Sequence, residues 1–159
     1  MSDITVRIAT LDDISAIADI VRDGWENIYA GYRAQLGDGI YDSVYDTDPL
    51  LAKADRLKGA ICEGRVFVAV CDGKICGFAS FAKEGNIGVL KDNAVAASAR
   101  GKGVSSLLYE AVFGKLRELG CNVVRVGTGL DDAHAPARRA YEKAGFEVGL
   151  PSITYYKKL

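Results

Sequence analysis

The sequence predicts an α+β fold, a mixed and mostly antiparallel central sheet with helices on both faces, in the order βααβββαβαββ. Three observations predict it. Val66–Val70, Ile75–Phe81 and a run from about Ile87 to Ala96 are strand-like segments separated only by turns, as successive antiparallel strands are. Segments with apolar residues at i, i+3, i+4 and i+7 lie on both sides of them, which is helical periodicity. A short glycine-rich turn with two cations, Arg100-Gly101-Lys102-Gly103, then joins the third strand to the next helix. A chain of 159 residues, 49% of them hydrophobic, is sized for one domain over residues 1–159 with a real core.

Taken in order, Ile4–Ala9 alternates apolar and polar residues and reads as the first strand. Thr10, with Asp13 three residues on, can cap a helix whose buried stripe is Leu11, Ile14, Ile17, Ala18 and Val21. From Trp25 to about Lys58, aromatics, glycines and acids (Asp38, Asp42, Asp46, Asp48, Asp55) alternate, and helical pieces joined by turns are expected. Asp72-Gly73 between two apolar runs is a hairpin signal, because both turn positions of a tight hairpin require positive φ. Residues 103–119 place Val104, Leu107, Leu108, Ala111, Val112, Leu116 and Leu119 on one stripe, and Gly120 is a natural stop. Asn122–Gly127 is a further strand, followed by a helix near 135–144; Phe146–Val148 and Ile153–Lys157 are expected to complete the sheet.

Net charge is −1, which offers no bulk attraction to nucleic acid or an anionic membrane. No apolar run approaches the length of a membrane span, and Met1-Ser2-Asp3 does not open a basic-then-apolar leader. A cytoplasmic protein is expected. Cys62, Cys71, Cys76 and Cys121 lack paired Cys-x-x-Cys spacing and are expected to be reduced, half-buried residues. With a single histidine far along the chain, no metal site is expected.

The turn at 100–105 carries chemistry. Glycines let a ligand approach the backbone, and the first N–H groups of the following helix have no intrahelical acceptor and point at an anion. Arg100, Gly101, Lys102, Gly103, Val104 and Ser105 therefore form a candidate phosphate site. It is not a P-loop, which needs Gly-x-x-x-x-Gly-Lys-Ser/Thr. It is not a dinucleotide fingerprint either, since Ser106 stands where the third glycine would be. It resembles the pyrophosphate loop of the GNAT acetyltransferases, Gln/Arg-x-x-Gly-x-Gly/Ala, with Arg100 and Gly103 in register and Ser105 last. A second segment, His134 to Phe146, is similar to the family's late helix, Asn-x-x-Ala-x-x-x-Tyr-x-Lys-x-Gly-Phe, through Ala137, Tyr141, Lys143, Gly145 and Phe146. His134 stands in the place of the asparagine.

The resemblance implies a GNAT acyl-CoA N-acyltransferase fold, in which the fourth and fifth strands splay and the cofactor lies in the gap. It implies acetyl-CoA as co-substrate, an amine as acceptor and direct transfer in a ternary complex. Backbone N–H groups from Arg100 to Ser105 would hold the pyrophosphate, and the strand edge at Val95, Ala96 and Ala97 would pair with the pantetheine, with His134 as a further contact. Tyr141 would be the general acid toward the departing thiolate; from its spacing alone it reads equally as a core residue. Asp92 and Glu84 are carboxylates on or next to the strand that precedes the glycine-rich turn, with Asp92 named as general base and a solvated charge as the bland reading. Trp25, Tyr29 and Tyr32 share a helical face with Ile28, either a core stripe or an aromatic wall of the acceptor pocket, loosely like the phosphinothricin-type subgroup. The acids from Asp38 to Asp55 would suit a cationic acceptor such as a polyamine, or are solvated loop charge. A non-catalytic acyl-CoA sensor is the alternative function. Homodimers are common in the family, and no feature of the sequence fixes the oligomeric state.

Overall fold

The computed structural model describes residues 3–159; Met1 and Ser2, where the reading of the chain start begins, lie outside the described residues. The first strand, β1 (Ile4–Ile8), leads through a short 3-10 turn into α1 (Ile14–Leu36), followed by α2 (Asp38–Val44) and α3 (Pro49–Cys62). Then come β2 (Val66–Cys71), β3 (Lys74–Glu84), β4 (Ile87–Val95), α4 (Val104–Glu118), β5 (Val123–Val126) and α5 (Ala135–Lys143). The five strands form one sheet in sequential order, antiparallel throughout except for the parallel β4–β5 pair. The hairpin at Asp72-Gly73 forms as its residues dictate, with φ of 50° and 76° at the two turn positions.

One core layer packs α1 and α3 on one face of the sheet, around Ile17, Val21, Leu57, Val68 and Phe78, each 2% exposed or less. The other packs α4 and α5 on the opposite face, around Leu90, Leu108, Val112, Leu116 and Tyr109. Leu11, Leu107 and Leu119, expected on buried stripes, are 47%, 43% and 41% exposed. On α4 the buried surface is rotated toward Tyr109 and Phe113, because α5 with Tyr141 and Phe146 covers that side as well. Gly88 is required by this packing, since a Cβ there would lie 2.5 Å from Leu116 Cδ1.

The start of α1 is fastened to β1. Asp13 accepts from both terminal nitrogens of Arg7 at 2.7 and 2.8 Å, and from the Thr10 backbone N–H at 2.8 Å, completing the capping box. These partners, led by the Arg7 hydrogen bonds and opposed by burial, hold the Asp13 carboxyl at a pKa of about 2. A folded pKa below the unfolded one means that the stabilisation is complete above about pH 4 and is lost as pH falls toward 2. Replacing Asp13 with Ala is expected to cost roughly 2 kcal/mol at neutral pH and about 4–8 °C in Tm, allowing for the exposure of Arg7. Thermal melts across pH should show the two Tm curves converging below the carboxylate range; a gap that stays constant into acid would assign the loss to something other than this charge.

Two expectations are corrected. Phe146–Val148 and Ile153–Lys157 form no strands, and every residue from Glu147 to Leu159 is exposed, Val148 and Leu150 almost fully. Alternation names the residues that would share a face, but a strand also needs a partner edge. Gly149 and Pro151 interrupt the segment, and its end runs instead to α2, where Lys158 approaches Gly39. Cys71 and Cys76 are not reduced thiols but a disulfide across the β2–β3 hairpin, their Cα atoms 5.8 Å apart. The tight turn brings them within bonding range, which a search for Cys-x-x-Cys spacing does not see. Cys62 and Cys121 are free. Among the described residues no helix is long and apolar enough to cross a membrane.

Candidate active site

The sheet opens where β4 outruns β5. Their parallel pairing ends at Leu90 and Val126, so β4 continues to Val95 with no strand of the described residues on that side. On its other side β4 carries a bulge. Ala79 pairs with Asn93 but Phe81 with Leu90, so Lys91 and Asp92 together oppose Ser80, whose hydroxyl donates to the Asp92 carbonyl at 3.0 Å. A bulge bends the strand and re-aims its side chains, a common device beside active sites. Asp92 and Asn93 consequently face a cleft of about 1290 Å³ between α1, β4, α4 and α5.

One end of the cleft is the start of α4. Gly101 and Gly103 take φ of 74° and 81°, a conformation that L-residues with a Cβ rarely adopt, and this turns the chain abruptly from the preceding strand into the helix. No backbone carbonyl of a described residue accepts from the N–H groups of Gly101 to Ser106, which leaves a row of donors at a helix N-terminus. Arg100 folds back, its Nε donating to the Val95 carbonyl at 3.4 Å. Donors suited to a pyrophosphate and an unpaired strand edge suited to amides thus lie in one groove, and these residues fit coenzyme A.

At the middle of the cleft two tyrosines meet one amide. The Tyr109 hydroxyl donates to Asn93 Oδ1 at 2.7 Å, and Asn93 Nδ2 donates to the Tyr141 hydroxyl at 3.0 Å and to the Lys91 carbonyl at 2.9 Å. Tyr141 and Tyr109 are 8% and 3% exposed, with ring centroids 5.8 Å apart. Burial raises the Tyr141 phenol above the usual tyrosine range; the Asn93 hydrogen bond opposes this and the charge of Asp92 adds to it. Burial, and then the neighbouring Tyr141, raise the Tyr109 phenol further, against a hydrogen bond from Ser105 one turn back on α4. Asp92 is held by Lys53 at 2.5 Å, a lysine only 6% exposed whose ammonium lies 4.6 Å above the Trp25 ring.

The structure brings together Trp25, Asp92, Val95, Arg100, Gly101, Gly103, Val104, Ser105, His134 and Tyr141 as walls of this cleft. Ala96, Ala97 and Lys102 lie beside it, and Tyr29 and Tyr32 do not line it. Tyr29 packs edge-on against Tyr32 and Tyr45, while Tyr32 stacks on His134 with centroids 6.3 Å apart. His134 shares its Nδ1 with both carboxylate oxygens of Asp131 at 2.9 and 2.8 Å, which fixes the ring at the cleft wall. Glu84 pairs with Arg125 away from the cleft. Asp38 and Asp42 are engaged by Arg33, and Asp48 caps α3. Arg138 donates to the Gly129 and Asp131 carbonyls, at 2.6 and 2.8 Å, and so braces the loop before α5.

Lys53, Asn93 and Tyr109 escape a reading of the sequence. Lys53 does carry a signal, since it lies at i, i+4, i+7 and i+8 with Leu57, Ala60 and Ile61, a lysine on a buried face. A lysine seldom buries without a carboxylate to meet it.

Comparisons with known proteins agree with this geometry. The chain matches no curated protein sequence. Among solved structures it is similar to the aminoglycoside N-acetyltransferase AAC(6')-Iy in complex with CoA, at 18% identity and a TM-score of 0.70 over 100% of this chain and 97% of that one. It is likewise similar to the PaiA N-acetyltransferase from Thermoplasma acidophilum in complex with coenzyme A, at 17% identity and a TM-score of 0.73 over 92% and 91%. A putative GNAT acetyltransferase from Desulfovibrio desulfuricans matches at 22% identity and a TM-score of 0.63 over 93% and 87%. The sequence itself matches the acetyltransferase (GNAT) family over residues 25–146, from the aromatic face of α1 to the phenylalanine after α5. The chain belongs to the acetyltransferase (GNAT) family, whose members are acetyl-CoA-dependent N-acetyltransferases.

Proposed function

We propose that residues 1–159 act as one domain that transfers the acetyl group of acetyl-CoA directly to a primary amine of a small polycationic molecule or a peptide, both substrates being bound together. The observation that carries this reading is the buried Tyr141 hydroxyl on the cleft wall, 3.0 Å from Asn93 Nδ2 on the stretch of β4 beyond its pairing with β5. The N–H row from Gly101 to Ser105, with Arg100 and Lys102, receives the pyrophosphate. The free edge of β4 at Val95 and the residues Ala96 and Ala97 receive the pantetheine, with His134 lining the same cleft. That alignment supplies the proximity that acyl transfer needs. Asp92, oriented by Lys53, draws the acceptor's ammonium and takes its proton through water; the amine then attacks the thioester carbonyl. Tyr141 gives its proton to sulfur as the C–S bond breaks.

Trp25, Asp23 and Asp92 on the cleft wall suit a cationic acceptor, and Tyr32 stacks on His134 of the same cleft. The aminoglycoside acceptor of AAC(6')-Iy is of this class. The reaction is placed in the cytoplasm, where acetyl-CoA is made and used. The test is thiol release from acetyl-CoA with spermidine, neamine and a lysine-containing peptide, run beside thermal melts. Turnover with at least one amine, and a Tm raised by acetyl-CoA, are expected. A raised Tm with no thiol release from any amine would replace this reading with that of an acyl-CoA sensor.

A further inference from the structure

We propose that Asn93 selects which of the two buried tyrosines is the acid, by locking the Tyr109 proton inward and turning the Tyr141 proton out into the cleft. The proposal rests on the reading of Tyr141 as the proton donor. Burial alone does not separate the two phenols, since both line the cleft and both are nearly inaccessible. The hydrogen-bond directions do separate them.

A peptide carbonyl can only accept, so the Asn93 atom 2.9 Å from the Lys91 carbonyl is the amide nitrogen. That contact fixes the orientation of the whole amide. The other end is then the oxygen, which only accepts, and the Tyr109 hydroxyl 2.7 Å from it must donate. Tyr109 has its one proton engaged. The second N–H of the same amide reaches the Tyr141 oxygen at 3.0 Å, which makes Tyr141 the acceptor there and leaves its proton free. No described residue accepts from that hydroxyl.

The amide is itself held. The bulge at Lys91 and Asp92 aims the Asn93 side chain between α4 and α5, where it meets Tyr109 and Tyr141. A chain of side chains, Tyr109–Asn93–Tyr141, therefore joins α4 to the acid on α5. In the step it serves, the electron pair of the breaking C–S bond goes to sulfur, and the Tyr141 proton follows it to give the thiol. The phenolate left behind receives the Asn93 N–H, a hydrogen bond that strengthens as its acceptor becomes charged. The proton released by the acceptor nitrogen returns through water to the phenolate, so the site is restored. Asn93 touches no reacting atom and is a positioning residue.

Three substitutions test this, each made alone and combined with Tyr141→Phe: Asn93→Ala, Asn93→Asp and Tyr109→Phe. With acetyl-CoA and spermidine or neamine, Asn93→Ala is expected to lower kcat about 10-fold, to leave KM for acetyl-CoA within about twofold, and to add nothing to Tyr141→Phe. Asn93→Asp should be worse than Asn93→Ala, because a carboxylate oxygen in place of the amide nitrogen would take the Tyr141 proton as acceptor. Tyr109→Phe should show the milder form of the same dependence on Tyr141. Independently of any acceptor, the ultraviolet phenolate band of Tyr141, isolated as wild type minus Tyr141→Phe, should titrate at higher pH when Asn93 is Ala. An Asn93→Ala loss of equal size with and without Tyr141, or an unmoved phenolate titration, would overturn the proposal and leave Tyr141 as the acid. Full turnover by Tyr141→Phe would instead overturn the acid reading itself.

Discussion

Replacing Tyr141 with Phe lowers kcat by about 100-fold or more while leaving KM for acetyl-CoA and the stabilisation by CoA nearly unchanged, as loss of a general acid from an intact site requires. The substitution keeps the aromatic packing against Tyr109 and Phe146, whose ring centroids lie 5.8 and 5.9 Å away. It leaves Asn93 Nδ2 its bond to the Lys91 carbonyl, so the stability cost is about 1 kcal/mol. The pH profile carries the sharper signature. Burial raises the Tyr141 phenol above its ordinary value near 10, so the protonated and active form persists through the whole neutral and mildly alkaline range. In the wild type, kcat/KM should climb as the acceptor amine loses its proton and show no descending limb from this tyrosine below about pH 10. In the variant the climb remains on a floor about two orders of magnitude lower, and the alkaline fall assigned to Tyr141 disappears. Measured kcat and kcat/KM across pH decide the matter, and a variant with wild-type turnover would return Tyr141 to the core.

What the sequence discloses of this molecule divides by physical range. The Asp72-Gly73 hairpin, the helical stripe through Val104, Leu108, Val112 and Leu116, and the sharp glycine turn before α4 are legible because each is fixed by neighbours within a few residues. Backbone conformation at Gly101 and Gly103 and the periodicity of α4 are local properties, and the structure has them where the residues place them. The strands expected at Phe146–Val148 and Ile153–Lys157 fail for the opposite reason. Strand formation depends on a partner edge that alternation does not report, and this segment lies exposed. The disulfide of Cys71 with Cys76 and the pairing of Lys53 with Asp92 are likewise nonlocal, the latter joining residues 39 apart in sequence. Asn93 is the instructive miss. Standing between Lys91-Asp92 and a run of small apolar residues it attracts no attention, and its role depends on the bulge just before it and on two tyrosines from different helices.

The glycine turn before α4, proposed to hold the pyrophosphate, allows a substitution whose effects on folding and on binding point in opposite directions. Gly103 is the N-cap of α4, at φ 81° and ψ 5°. Aspartate is among the non-glycine residues that enter this left-handed region most readily, and it is a preferred N-cap, its carboxylate accepting from the second or third helical N–H. Those are the N–H groups of Ser105 and Ser106, part of the donor row that faces the cleft. Gly103→Asp is therefore expected to leave the Tm of the free protein within about 3 °C, the gain from capping and from the helix dipole offsetting the backbone strain. The same carboxylate occupies the donors that a pyrophosphate needs and sets a negative charge against it. At a concentration of acetyl-CoA 100 times the wild-type Kd, ligand stabilises the wild type by about 2.7 kcal/mol; a 100-fold loss of affinity leaves about 0.4 kcal/mol, close to no shift in a melt. Gly103→Ala is the counterpart, with the same strained backbone and neither charge nor competing acceptor, and should keep most of the shift at some cost to the free protein. Raising the salt should narrow the difference between the two variants, since part of it is repulsion between partly exposed charges. A Gly103→Asp protein that binds acetyl-CoA as the wild type does would place the pyrophosphate away from the start of α4 and remove the basis for the cofactor's path along β4.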